Sequence, residues 1–518
     1  MEKEYAVIVK RGIDISEVDS DLAAETGDNA VPKRSVDVAN PRPGSKRITH
    51  WMLTDEEAEN LRKDNRIEAV EIPPDQRDDI KMKLNATQTA DFSKPSSIDS
   101  TLVNWGLRRS ISLTNVYGQS SAAPDSNYLY ALDGTGVDVV IQDSGIEPLH
   151  PEWNDYEGNT RYQSIDWYSA SGLAGTQNAN HDRDLDGHGT HSAGIVAGLT
   201  YGWAKNANVY SQKLAGLEGS GDSGTGIPIA DAFDSIRLWH TAKTNGRPTV
   251  VNMSWGYISE AVGDPTGGNY RGTPWTFTNQ DDATLWVDYG VVSSYPGTLR
   301  VIPARNAFAD AEIEDMIDAG IVVVISAGND YYKHDLSTGD DYDNEVVIGG
   351  ITYFYHRGSS PYSDDAIKVG AINTDIYDNA GDYLDRVANF SNRGPAVDIW
   401  APGVNIISCT STTNSYSGID YPGDATYKIA MLQGTSESGP QVAGVAALML
   451  GARPDLNPAK VKEKILLDAT SAIYQTGSST DYAQFSTTLL GGPNKLLYSK
   501  YGTNESYRIA GSFGTGLS

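Results

Sequence analysis

Three short runs of β-branched residues constrain this chain most. They are Val137-Asp138-Val139-Val140-Ile141, Thr249-Val250-Val251-Asn252-Met253 and Ile321-Val322-Val323-Val324-Ile325. All are nearly continuous in apolar residues and too short for an ordinary helix. Such runs read as strands covered on both faces, because a strand with one wet face alternates instead. Helical periodicity accompanies them at residues 189–199, 228–243 and 309–319. Strands that alternate with helices pair in parallel, since returning the chain in the same direction takes a long crossover. An α/β body with a mostly parallel sheet is therefore expected over residues 101–500.

A smaller α+β unit precedes it. Residues 1–75 hold an apolar strand at Tyr5–Val9 and a helix opening at Thr54, with Glu57 completing a capping box. An alternating strand at Ile67–Ile72 follows, stopped by Pro73 and Pro74. Residues 16–45 are polar and read as a loop; residues 76–100 are polar and aperiodic, a linker. Residues 501–518 form a C-terminal tail. The charge balance narrows the partners: 68 acidic against 40 basic residues give −28, which disfavours nucleic-acid phosphates and anionic membrane surfaces. No run of about 18 apolar residues is present, so no membrane-spanning helix is expected. The single cysteine, Cys409, leaves no internal disulfide. The opening MEKEYAVIVKRGIDISEVDSD lacks the apolar core of a secretory signal, so a cytoplasmic or virion-associated protein is expected.

In an open parallel sheet, reactive groups gather at the carboxyl ends of strands and at the N-termini of adjoining helices. Asp143 ends the first strand in Asp143-Ser144-Gly145, although taken alone it reads more readily as a turn aspartate. His188 lies in Asp186-Gly187-His188-Gly189-Thr190-His191, opening a small-residue helix. His191 raises a rival metal-pair reading, which no Cys or downstream His-Glu pair completes. Ser436 stands in Gly434-Thr435-Ser436-Glu437-Ser438-Gly439-Pro440, where a hydroxyl either attacks a carbonyl or caps the helix. Asn329 closes the third run in Ser326-Ala327-Gly328-Asn329. Together the four fit an orienting acid, a base, a nucleophile and an oxyanion donor.

Through these motifs the chain resembles the subtilisin-like serine proteases (subtilases, peptidase family S8). DSGIEPLHPEW, GHGTHSAGIVAG, VVNMSWG, ISAGND and GTSESGPQVAGVAAL stand in the family's order, with the acid before His and His before Ser. The resemblance implies a three-layer subtilisin-like fold and a serine endopeptidase acting on proteins or peptides, with no required cofactor. It implies Asp143, His188 and Ser436 as the triad and Asn329 as the oxyanion donor. Ser254, Trp255, Gly256, Ser326, Ala327 and Gly328 would bind the substrate backbone. No catalytic metal is implied. Calcium stays open as a structural ion, and the EF-hand-like opening Asp182-Arg183-Asp184-Leu185-Asp186-Gly187 reads first as a loop supporting His188.

The stretch AGLTYGWAKNANVYSQKL resembles the proteinase K type, running from the His helix to the next strand without an inserted loop. ITHWMLTDEEAENLRKDNRIEAVEI makes the front unit similar to the family's propeptide, a folding chaperone and intramolecular inhibitor. The likeness implies a sheet packed on two body helices, a tail through the active site, and a self-cut between about Asp75 and Ser100. Insertions near 257–305 and 330–364 are expected to flank the cleft. Glu437-Ser438 departs from the family's Met-Ala; a carboxylate beside the nucleophile reads as lowering activity or favouring basic substrates, or as simply pointing into solvent at the helix start. The YFYHRGSSP stretch resembles subtilase-type proteins of tailed bacteriophages. The alternative reading is a catalytically silent structural or binding protein of a phage particle.

Overall fold

The three apolar runs lie side by side in one sheet. Across it run Asn208–Lys213, Asp138–Asp143, Thr249–Met253, Val322–Ser326 and Ile367–Tyr377, each parallel to the next. Ile399–Pro402 pairs in parallel and Tyr383–Val387 antiparallel with the last of these. Side chains alternate between the faces. Val139, Ile141, Val250, Val322 and Val324 join one core with helices His188–Ala197 and Thr435–Ala452. Val140, Val251, Met253, Val323 and Ile325 join a second core with helices Ile229–Ala242 and Ala307–Asp318. Burial on both faces explains the unbroken apolar runs, and the architecture is α/β in three layers, as expected. The computed structural model describes residues 2–24, 34–84, 87–88, 104–117, 128, 130–276, 289–291, 299–377, 383–475 and 488–502. Among them no helix is long and apolar enough to cross a membrane.

The front unit is a four-stranded antiparallel sheet in the order Val38–Asn40, Ile48–Leu53, Lys3–Val9, Ile67–Glu71. Its capping box forms: Thr54 Oγ1 accepts from the Glu57 amide, and the Glu57 carboxylate accepts from the Thr54 amide at 2.8 Å. The loop expected over residues 16–45 is corrected. Asp14 caps a helix at Ile15–Ala23, whose Val18 and Leu22 are buried one turn apart. Ile15, Val18 and Leu22 do follow the helical spacing, but over barely two turns within a polar stretch. Tyr5, Val7 and Val9 share that core, whereas Ala6, Ile8 and Ile48 pack on Phe308 and Ala311 of the body. The sheet thus rests on helix Ala307–Asp318. It also reaches Ile229–Ala242 through Arg42, whose Nη2 lies 2.8 Å from Asp234.

Part of the expected linker is regular. Lys81–Leu84 is a strand paired antiparallel with the body, Leu84 opposite Trp255, Lys83 opposite Gly256 and Met82 opposite Tyr257. Thr87 and Gln88 pair with Gln433 and Leu432. These strands form on body edges that supply hydrogen bonds, which explains their weak mark on composition. Residues 89–103, and 503–518 of the tail, lie outside the described residues.

The two insertions fold together. One sheet runs Thr273–Thr276, Pro265–Tyr270, Glu345–Ile348, Ile351–Phe354, over a core containing Ala261, Trp275, Tyr332, Val346 and Tyr355. Arg271 of the first insertion grips Asp341 of the second at 2.6 and 2.9 Å, and Lys333 binds the same carboxylate at 2.6 Å. Residues 277–288 and 292–298 of the first insertion lie outside the described residues.

Candidate active site

Asp143 is the last residue of its strand and fully buried. Its Oδ1 accepts from the Ser144 amide at 2.7 Å and lies 2.7 Å from His188 Nδ1. His188 opens its helix between two glycines that permit this approach. Gly187 takes φ +95°, and a Cβ on it would meet Asn414 and Thr410 at 2.5 Å. A Cβ on Gly189 would stand 2.1 Å from the Gly145 carbonyl oxygen. Burial pulls the His188 pKa down, but the charge and hydrogen bond of Asp143 outweigh it. With Glu437 and Asp186 adding to that pull, it is raised to about 9.

Asp184 braces the preceding loop from a buried position. It accepts from the Gly187 amide at 2.8 Å, the Thr190 amide at 3.0 Å and the Thr190 hydroxyl at 2.6 Å. The Ser144 hydroxyl donates to it at 3.0 Å and itself accepts from the Gly189 amide at 2.9 Å. Asp182 instead accepts from the Ser164 hydroxyl, and Asp186 from the Tyr416 hydroxyl. The acidic run therefore serves protein donors in different directions and does not fit a calcium cage. Among the described residues no group of three or more His, Cys, Asp or Glu side chains is placed to hold a metal ion.

Ser436 is the second residue of helix Thr435–Ala452 and fully buried. Its hydroxyl donates to the Ser254 carbonyl at 2.8 Å, while His188 Nε2 has no hydrogen-bond partner among the described residues. Nucleophile and base are thus not joined by a hydrogen bond in this conformation. The Ser254 hydroxyl accepts from Asn252 Nδ2 at 2.9 Å and donates to the Ser436 carbonyl at 3.2 Å, which ties the strand end to the helix start. Asn329 Oδ1 accepts from the Thr435 amide and hydroxyl, both at 2.9 Å. The Thr435 hydroxyl also accepts from the Gly328 amide at 3.0 Å. Ser326 ends the third strand, and the Ala327 amide donates to Val369 at 2.9 Å. Thr435 and Asp184 orient the site without having been singled out for it. Both stand in the quoted motifs, but their partners are distant or backbone groups that a motif does not display.

Glu437 does not point into solvent. Its carboxylate is fully buried, with Oε1 3.4 Å from His191 Nδ1. The metal-pair reading of the two histidines is likewise corrected, because they turn to different carboxylates, His188 to Asp143 and His191 to Glu437.

A parallel sheet with an acid at one strand end, and an imidazole and a hydroxyl at the starts of two helices on one face, defines the α/β class to which the chain belongs. Within that class the chain belongs to the subtilase family, whose model matches residues 134–497. It is similar to alkaline serine exoprotease A of Vibrio alginolyticus, 26% identical over 449 residues, 86% of this chain and 57% of that protein. The chain thus spans little more than half of that relative. It is also similar to the extracellular serine proteinase of Thermus sp. strain Rt41A, 26% identical over 449 residues, 87% of this chain and 74% of that one. Among solved structures, fervidolysin from Fervidobacterium pennivorans, a keratinolytic enzyme related to subtilisin, supports the fold. It matches with a TM-score of 0.52 at 18% identity, covering 97% of this chain and 61% of the other. The cytoplasmic placement is corrected by these relatives, since the Thermus protein is named extracellular; the virion-associated alternative is not addressed by them.

Proposed function

We propose that this chain is a serine endopeptidase of the subtilisin type that cuts its own N-terminal region. The observation that carries this reading is the pairing of two described stretches, Lys81–Leu84 and Thr87–Gln88. The first pairs with Trp255–Ile258, next to the Ser254 that receives the Ser436 hydroxyl; the second pairs with Leu432 and Gln433, just before the Ser436 turn. A segment held as an added strand on both sides of a nucleophile is bound as a substrate is bound.

In the reaction the Ser436 hydroxyl turns from Ser254 to His188 Nε2, gives up its proton and attacks the scissile carbonyl. Asp143 holds the Nδ1 proton and stabilises the imidazolium. Asn329, its carboxamide set by Thr435, and the Ser436 amide donate to the oxyanion. His188 returns the proton to the leaving amine as the C–N bond breaks, and water then frees the acyl group. Ser254–Gly256 and Ser326–Gly328 supply backbone edges to a protein or peptide substrate. Residues 1–75 act as the propeptide, seated on two body helices, and the flanking pairings support a self-cut between Leu84 and Thr87. The direct run from helix His188–Ala197 to strand Asn208–Lys213 supports the proteinase K-type loop pattern.

The silent-scaffold reading has one observation in its favour, the Ser436 hydroxyl bonded to Ser254 rather than His188. A fluorophosphonate separates the two. The protease reading expects an adduct on Ser436 that is lost in Ser436→Ala; a wild-type protein left unlabelled contradicts it.

A further inference from the structure

Glu437 adjoins the nucleophile, yet the mechanism above gives it no task. Glu437 and His191 are both without solvent exposure, and neither carboxylate oxygen has a hydrogen-bond partner among the described residues. His191 Nε2 lies 3.3 Å from the Ala430 carbonyl oxygen, so that nitrogen carries a proton, because a carbonyl only accepts. Nδ1, 3.4 Å from Oε1, faces a carboxylate. Two lone pairs would repel there, so a proton lies between them, on the acid or on the imidazole. His191 is one turn beyond His188 on the same helix, which sets this pair beside the Asp143–His188 pair. The titratable groups facing Glu437 are His191 and His188 on that helix, Asp143 at the strand end, and Tyr416, whose hydroxyl donates to Asp186 at 3.0 Å. Cys409 faces the same helix from strand Ile406–Thr410.

We propose that Glu437, held by His191, is a second acidic positioning residue that steadies the protonated His188 formed when Ser436 attacks. The inference rests on the protease reading. Burial pushes the Glu437 pKa up and the opposing pull of His191 and His188 does not cancel it, so Glu437 acts upward on His188 in the form where the shared proton sits on His191. Glu437 therefore works through His188 without touching the substrate.

The test is the rate of fluorophosphonate labelling of Ser436 against pH, on the purified protein as it accumulates. Glu437→Gln removes the negative charge and should move the acid limb to lower pH by about half a unit or more. Glu437→Asp should move it back toward wild type. His191→Gln strands the buried carboxyl, which then keeps its own proton, so the limb should fall similarly. The double variant should shift no further than either single one. A Glu437→Gln limb within about 0.2 unit of wild type overturns the proposal. Should Glu437→Gln fail to fold, an unmoved limb in His191→Gln overturns it instead. A wild type unlabelled at every pH fells the protease reading and this inference with it, whereas normal labelling with unmoved limbs fells the inference alone.

Discussion

Replacing Arg42 by alanine should loosen the front unit from the body. The Arg42 side chain is 2% exposed; its Nη2 lies 2.8 Å from Asp234 and 2.9 Å from Glu312, and its guanidinium sits 4.6 Å from the Phe308 ring centre. After the change Asp234 keeps Arg237 at 2.7 Å, but Glu312 keeps no ion-pair partner among the described residues. Burial and the nearby Asp234 already push the Glu312 carboxyl well above its usual range, with Arg42 opposing them. Raised to about 8 even with Arg42 in place, it already holds its proton near neutral pH and holds it more firmly without Arg42. Breaking a buried pair costs about 3–5 kcal/mol, and these two reliefs place this case near the lower end, about 3 kcal/mol. That is about 10²-fold in the equilibrium for detachment. The assay is hydrogen exchange at Lys3–Val9 and Ile67–Glu71 in a Ser436→Ala background, where no self-cut intervenes. An acceleration below about threefold would refute the idea that this arginine anchors the unit. The pH dependence has a definite sign. A carboxyl raised on folding favours its protonated form, so its stabilising effect is full below the unfolded value of 4.5 and is lost as pH rises through the raised one. Glu312→Gln should remove that slope.

Asn329→Ala should lower kcat by about 10²–10³-fold, the cost of one oxyanion donor, with KM little changed; a drop below about threefold in steady-state assays contradicts that role. The kcat/KM profile should rise as His188 loses its proton, with a midpoint displaced above 6.5 toward about 9; a rate flat across that range argues against a histidine base. By linkage, the raised His188 pKa stabilises the fold fully below 6.5, and this contribution is lost as pH rises through about 9.

The central sheet was legible because Val139, Val250 and Val323 and their neighbours are covered from both sides, and a strand without a wet face has no reason to alternate. Thr54 and Glu57 were legible because a capping box is wholly local. Asp143, His188, Asn329 and Ser436 were singled out by their places at strand ends and helix starts, and the structure joins Asp143 to His188. Other features depend on partners distant in the chain. Lys81–Leu84 becomes a strand only on the edge at Trp255, and the two insertions make sense only as one sheet. An acid in the first turn of a helix ordinarily faces water near the positive end of the dipole. Glu437 goes inward because its helix is buried all round and His191 waits on another helix. The polar composition of residues 16–45 concealed the helix Ile15–Ala23, whose apolar face is only Ile15, Val18 and Leu22.

Intact mass of the purified wild type beside Ser436→Ala tests the central claim most directly. If Ser436 cuts the chain between the paired stretches Lys81–Leu84 and Thr87–Gln88, the wild type accumulates as fragments meeting between Leu84 and Thr87, and Ser436→Ala stays at 55.8 kDa. A wild type that also stays at 55.8 kDa, or a Ser436→Ala chain cut at the same bonds, contradicts the account.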